Sequence, residues 1–197
     1  MRNWLTFASL ICSLAVSSQA AVLTFEGVAP PGGVVNVSPT TPYHEAGFTL
    51  TPSDANSAVF AADAPFMFPG DNTAWFGFAG ADTTGTIITL TGPVPFDLDS
   101  ALLGPSTIGT GRVNLTVVGN VVGGGTKTVT FTGLTTATLE TINFTNLQSA
   151  TFTATSDAAM DNVSLNVIPE PGGVFLFGGG LIAMIGLWRW RSRIVTE

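Results

Sequence analysis

Between Thr126 and Gly133 the chain reads TKTVTFTG, with threonine at every second position and Val129 and Phe131 among the alternates. A repeat of two cannot sort residues onto the faces of a helix. It does so in a strand, where successive side chains point to opposite sides. Threonine, valine and phenylalanine also favour the pleated, half-buried environment. The same period recurs along the chain. VLTFEG puts Leu23 and Phe25 on one face, and GFTLTP does the same with Phe48 and Leu50. RVNLTVVGN alternates Val113, Leu115 and Val117, and ATFTAT sets Ala150, Phe152 and Ala154 against threonines. DNVSLNV sets Val163, Leu165 and Val167 against Asn162, Ser164 and Asn166.

Short strands between Gly, Pro and Asn turns predict an all-β fold, an antiparallel β-sandwich of jelly-roll-like form, with threonine facing water. The 197 residues suffice for one such domain, placed at 21–166. Segments 28–46 and 61–73 are expected as loops. VVGGGTKT lies between two strands and predicts a hairpin. Its Thr126 interrupts the Gly-Lys-Thr order of a phosphate-binding loop, which excludes that reading.

The two ends stand apart from this pattern. The start, MRNWLTFASLICSLAVSSQAAVLTFEG, has a basic Arg2, an uncharged apolar run from Trp4 to Val16, and small residues before a cut after Ala20. That is the layout of a secretory signal peptide over 1–20, a signal helix absent from the mature body. The only cysteine, Cys12, lies inside it, so the mature body has no thiol and no disulfide. Such a chain is held by its core, by hydrogen bonds or by an ion.

The other end reads VIPEPGGVFLFGGGLIAMIGLWRWRSR from Val167. Val174 to Trp188 carries no charge, but at helical rise its fifteen residues cover about 22 Å, short of the roughly 30 Å of hydrocarbon. A transmembrane helix over 172–188 is therefore a marginal span, weakened further by its glycines. Trp188 and Trp190 suit the interface, and Arg189, Arg191 and Arg193 suit the cytoplasmic side. The body then faces outward, as the leader also predicts. Pro169 and Pro171 fix an extended stretch outside the membrane, open to a protease.

Pro169-Glu170-Pro171, the apolar helix and the terminal arginines, in that order, resemble the PEP-CTERM sorting signal, over residues 167–193. The resemblance implies processing near the motif by a membrane-embedded exosortase. It also implies export machinery, a Gram-negative host that makes extracellular polysaccharide, and delivery to the envelope, surface or biofilm matrix. The alternative is a permanent single-pass anchor.

Charge limits the partners. Between residues 21 and 168 eleven acids face only Arg112 and Lys127, a formal charge of about −9. Such a surface repels phosphate backbones and excludes nucleic acid as a partner. It suits an exported protein, and it suits calcium. A first strand with Phe25-Glu26-Gly27 and a last strand with Asp161-Asn162-Val163-Ser164-Leu165 resemble those of PEP-CTERM and carbohydrate-binding-like jelly rolls; the resemblance implies that the terminal strands pair and that an ion can clip them, which makes Glu26, Asp157 and Asp161 candidate calcium ligands. The alternative is turn and edge acids. Asp97-Leu98-Asp99 lacks the further ligands of a calcium loop and is expected as a solvated loop.

No catalytic constellation stands out. His44 is the only histidine and is expected in a loop, and GPSTIG around Ser106 lacks the spacing of a nucleophile elbow. With eleven acids, some glycosidase-like carboxylate pair is inevitable and uninformative. PFMFPGDNTAWFGF concentrates aromatic residues. Trp75 is a candidate for stacking on a sugar ring, against the alternative of core packing, and adjacent Trp75 and Phe76 must point opposite ways in a strand. The sequence therefore predicts a non-enzymatic exported surface or matrix protein. A secreted carbohydrate-binding module is the alternative, and a secreted hydrolase the third reading.

Overall fold

The computed structural model describes residues 19–30, 33–55, 57–60, 72–76, 86–106 and 111–168. The expected leader, up to Ser18, and the tail from Pro169, where a transmembrane helix is expected, lie outside these residues. Eleven strands run in chain order: β1 (Gln19–Leu23), β2 (Val34–Val37), β3 (Tyr43–Glu45), β4 (Phe48–Pro52), β5 (Ser57–Phe60), β6 (Thr73–Phe76), β7 (Ile88–Pro105), β8 (Val113–Val121), β9 (Thr126–Leu134), β10 (Thr138–Ala154) and β11 (Ala158–Val167). Every pairing is antiparallel. Among the described residues there is no helix, and none long and apolar enough to cross a membrane.

The all-β expectation holds. The alternating runs become β4, β8, β9, the end of β10 and β11, and their predicted apolar faces point inward. Val113, Leu115, Val117, Phe152, Phe48 and Leu165 are wholly buried. VVGGGTKT forms the expected hairpin, with Gly123, Gly124 and Gly125 all at positive φ and Val121 N–H donating to the Gly125 carbonyl at 3.0 Å.

Two long strands organise the rest. The first residues of β7 pair with β4 and with the end of β10, through Leu90↔Leu50 and Leu90↔Ala150. Its later residues pair instead with β11 and the start of β10, as in Leu98↔Leu165 and Leu98↔Phe144. The change falls at Gly92-Pro93-Val94-Pro95, where the prolines offer no ladder N–H and β7 is free to bend. β10 turns at the same level by register shifts between Thr141 and Ser149, with Asn143 and Asn146 at positive φ. The two groups of strands share one apolar core, and Phe48 of β4 meets Phe96 of β7 edge to face at 5.3 Å.

Two expected loops are corrected, and a third lies almost wholly outside the described residues. Segment 28–46 contains β2 and β3. Glu45 and Phe48 pair across Ala46-Gly47, both at positive φ as a two-residue hairpin turn requires; the pair is Ala-Gly rather than the more recognisable Asn-Gly. His44 accordingly lies on a strand. Asp97-Leu98-Asp99 lies within β7, because Leu98 is wholly buried between two partners. Of segment 61–73, residues 61–71 lie outside the described residues and Thr73 begins β6.

Candidate functional site

The terminal strands do meet. Gln19 pairs with Val167 and Leu23 with Val163, so β1 runs back along the last half of β11. The leader boundary expected after Ala20 falls inside β1. On the same edge of β11, residues 158–160 pair with β6. Asp161 and Asn162 stand where the partner changes from β6 to β1, with Asn162 at positive φ.

The three candidate calcium ligands are placed differently. Asp161 is 1 % exposed and accepts the Asn162 backbone N–H at 2.6 Å and its side-chain amide at 2.9 Å. Glu26 accepts the backbone N–H and side-chain amide of Asn72, the residue before β6, at 3.3 and 3.4 Å. Both therefore belong to the junction of β1, β6 and β11. Asp157 does not. It precedes β11, roughly 13 Å of strand from Asp161, and its carbonyl accepts Ser106 N–H. Among the described residues no three His, Cys, Asp or Glu side chains gather to hold a metal ion.

A residue not singled out in the sequence ties the end of β1 to another element. Glu45, on β3, accepts Thr24 N–H, Thr24 Oγ1–H and Phe25 N–H, each at 3.1 Å, and Tyr43 Oη–H at 2.7 Å. This carboxylate ties the chain leaving β1 to the β3–β4 hairpin. It also over-determines Phe25, a wholly buried residue at φ 58, whose ring lies 5.2 Å from that of Tyr43. Burial first, then the Glu45 hydrogen bond and the charges of Glu45 and Glu26, push the Tyr43 phenol well above its ordinary range.

Trp75 lies in β6 between buried Ala74 and Phe76 and is itself half-buried, with its indole nitrogen shielded from solvent. Its strand neighbour Ala159 is wholly buried. His44 Nδ1 shares a hydrogen bond with Thr49 Oγ1 at 2.9 Å.

An outward surface is built by register. One row crosses six strands through consecutive pairs: His44, Thr49, Thr91, Ser149, Asn120 and Thr126. The next crosses five, through Thr51, Thr89, Thr151, Val118 and Thr128. A third links Thr153, Thr116 and Thr130. All but His44 and Val118 carry a neutral hydroxyl or amide. Cross-strand bonds hold several in place: Thr116 Oγ1 to Thr130 Oγ1 at 3.0 Å and Asn120 Nδ2–H to Ser149 Oγ at 2.9 Å. None of the eight described carboxylates takes a position in these rows.

On the β7–β11 side the outward surface is acidic instead. Asp99 accepts Asn166 Nδ2–H, and Asp97 accepts Asn146 N–H at 2.8 Å. Burial first, then the neighbouring Asp97 charge, raise the Asp99 carboxyl above the ordinary aspartate range.

No family model and no curated protein matches the chain. Among solved structures it is similar to TmCBM61 in complex with β-1,4-galactotriose, at 11 % identity and a TM-score of 0.37, over 63 % of this chain and 90 % of that one. It is also similar to the enzymatically active domain of tailspike protein 4 from bacteriophage CBA120, at 11 % identity and a TM-score of 0.33, over 62 % of this chain and 20 % of that one. Likenesses this distant transfer neither ligand nor activity.

Proposed function

We propose that this is a non-enzymatic exported protein of the bacterial surface or extracellular matrix. Its body is a jelly-roll-like β-sandwich, delivered by the leader over 1–20 and sorted by the PEP-CTERM tail over 167–193. Exosortase acts on the tail near Pro169-Glu170-Pro171, with Arg189, Arg191 and Arg193 retained at the inner membrane until release. The observation that supports this reading is the pairing of Gln19 with Val167. Leader and tail join the body at neighbouring positions on one sheet, Gln19 and Val167, so removal of either leaves the core residues of the sheet in place. A cut after Ala20 leaves Ala21, Val22 and Leu23 paired with β11.

The mass of the mature protein from its host tests the proposal. The expected product begins at Ala21 and ends near Pro169–Pro171. A product that keeps Met1 overturns export. One that keeps Arg191 and Arg193 overturns processing and makes the protein a permanent envelope anchor.

A further inference from the structure

We propose that the hydroxyl rows across β3, β4, β7, β10, β8 and β9 form a binding surface for a single strand of neutral polysaccharide. The proposal deepens the matrix reading, since it names the partner. Three observations carry it. The first is charge: the body holds about −9 by formal count, yet no described carboxylate lies in the rows. An anionic polymer is repelled by the body as a whole, whereas a neutral one meets no carboxylate among the described residues of these rows. The second is chemistry. Thr128, Thr130 and Thr126 are exposed, and each offers a donor, two acceptor lone pairs and a methyl group. That combination matches the alternating hydroxyls and C–H groups of a sugar chain. The third is preorganisation. The Thr116–Thr130, Asn120–Ser149 and His44–Thr49 bonds already fix rotamers, so little side-chain freedom is lost on contact.

Shape selects a single chain rather than a crystalline surface. Six strands at roughly 4.8 Å spacing make a face about 24 Å across. Each strand is rotated by roughly 20–25° from the next, so the rows twist and match no plane lattice. A linear glycan can follow such a path.

The test is native electrophoresis of the full chain in mild detergent, through gels cast with hydroxyethyl cellulose, with galactomannan, or with alginate. Retardation is expected on a neutral polymer, unchanged in 0.5 M salt as befits uncharged contacts. Thr128→Glu/Thr130→Glu should weaken the apparent affinity at least tenfold, with its melting temperature checked to confirm folding. Thr128→Ser/Thr130→Ser, which keeps the hydroxyls, should retain binding, and Trp75→Ala should leave it unchanged. Lack of retardation on both neutral polymers overturns the proposal, as does binding confined to alginate and lost in salt. Loss with Trp75→Ala alone moves the site to β6 and overturns it too. If light scattering shows a dimer that the double glutamate variant dissociates, the face belongs to a second copy and the proposal fails. None of these failures touches the export reading, which rests on the mature mass.

Discussion

Tyr43 Oη donates to Glu45 Oε2 at 2.7 Å, and the same carboxylate receives the backbone N–H groups of Thr24 and Phe25. Glu45→Ala leaves two backbone donors and a phenol without their acceptor in a half-buried site. Hydrogen bonds to charged groups contribute about 1.5–3 kcal/mol, and stranded donors cost a similar amount. The expected loss is roughly 2–4 kcal/mol by chemical denaturation. A loss under roughly 1 kcal/mol would show that the first turn after β1 is held by core packing alone.

The same contact makes an optical prediction. Tyr43 is the only tyrosine, so absorbance at 295 nm reports it without assignment. Its folded pKa is raised, chiefly by burial and then by Glu45. A raised folded pKa means the contribution to stability is full below the ordinary tyrosine value of about 10 and is lost as pH rises beyond it. Folded protein should show no tyrosinate at pH 10.5, while denatured protein titrates near 10. Glu45→Gln should lower the folded value, and Tyr43→Phe should remove that part of the alkaline stability loss. A native midpoint near 10 would mean the phenol is not in this network.

Much of the fold is legible in the chain, and the limits of that reading have physical causes. The period-two runs identify β4, β8, β9 and β11, because each buries one face and alternation records it directly. β7 is less legible because it changes partners at Gly92–Pro95, where residues that normally stop a strand instead bend one. Asp97 and Asp99 read as loop for the same reason, as outward residues on a strand whose inward Leu98 gives little local signal. The acids Glu26 and Asp161 each accept hydrogen bonds from an asparagine, Asn72 and Asn162, and those partners cannot be read from the sequence pattern. Glu45 could not be singled out, since its partners at Thr24 and Phe25 are mainly backbone groups brought over by tertiary folding. Each threonine stripe is visible in its own strand. Their union into rows from His44 to Thr126 depends on registers between strands far apart in sequence.

Asp99 supplies a prediction at the acid end. Its carboxyl is held above the ordinary aspartate value, first by burial and then by Asp97. Folding therefore favours the protonated form. The site's contribution is full below the ordinary aspartate value and is lost as pH rises through the raised one. The difference in melting temperature between the natural chain and Asp99→Asn should fall as pH goes from 3 to 6. Asp97→Asn should shrink that change by removing the second cause. A difference that rises with pH would have the wrong sign and would refute the assignment.

Asn146 sits at φ 59 where β10 shifts register, and its N–H and carbonyl are both used, by Asp97 Oδ1 and by Val122 N–H. A left-handed backbone costs most L-residues roughly 1–2 kcal/mol, while asparagine tolerates it and glycine adopts it freely. Asn146→Gly should be close to neutral, and Asn146→Val should cost about 1–2 kcal/mol by thermal unfolding. The position also bears on the outward rows. A strand's side chains alternate with a period of two, so a one-residue slip beyond Asn146 would send Thr151 inward and Phe152 outward. Asn146→Val should therefore weaken retardation on neutral polysaccharide only as far as it loosens the bulge, whereas deletion of Asn146 should abolish both the fold and the binding. A deletion variant that folds with unchanged melting temperature would show that the bulge does not set the register of Ser149, Thr151 and Thr153.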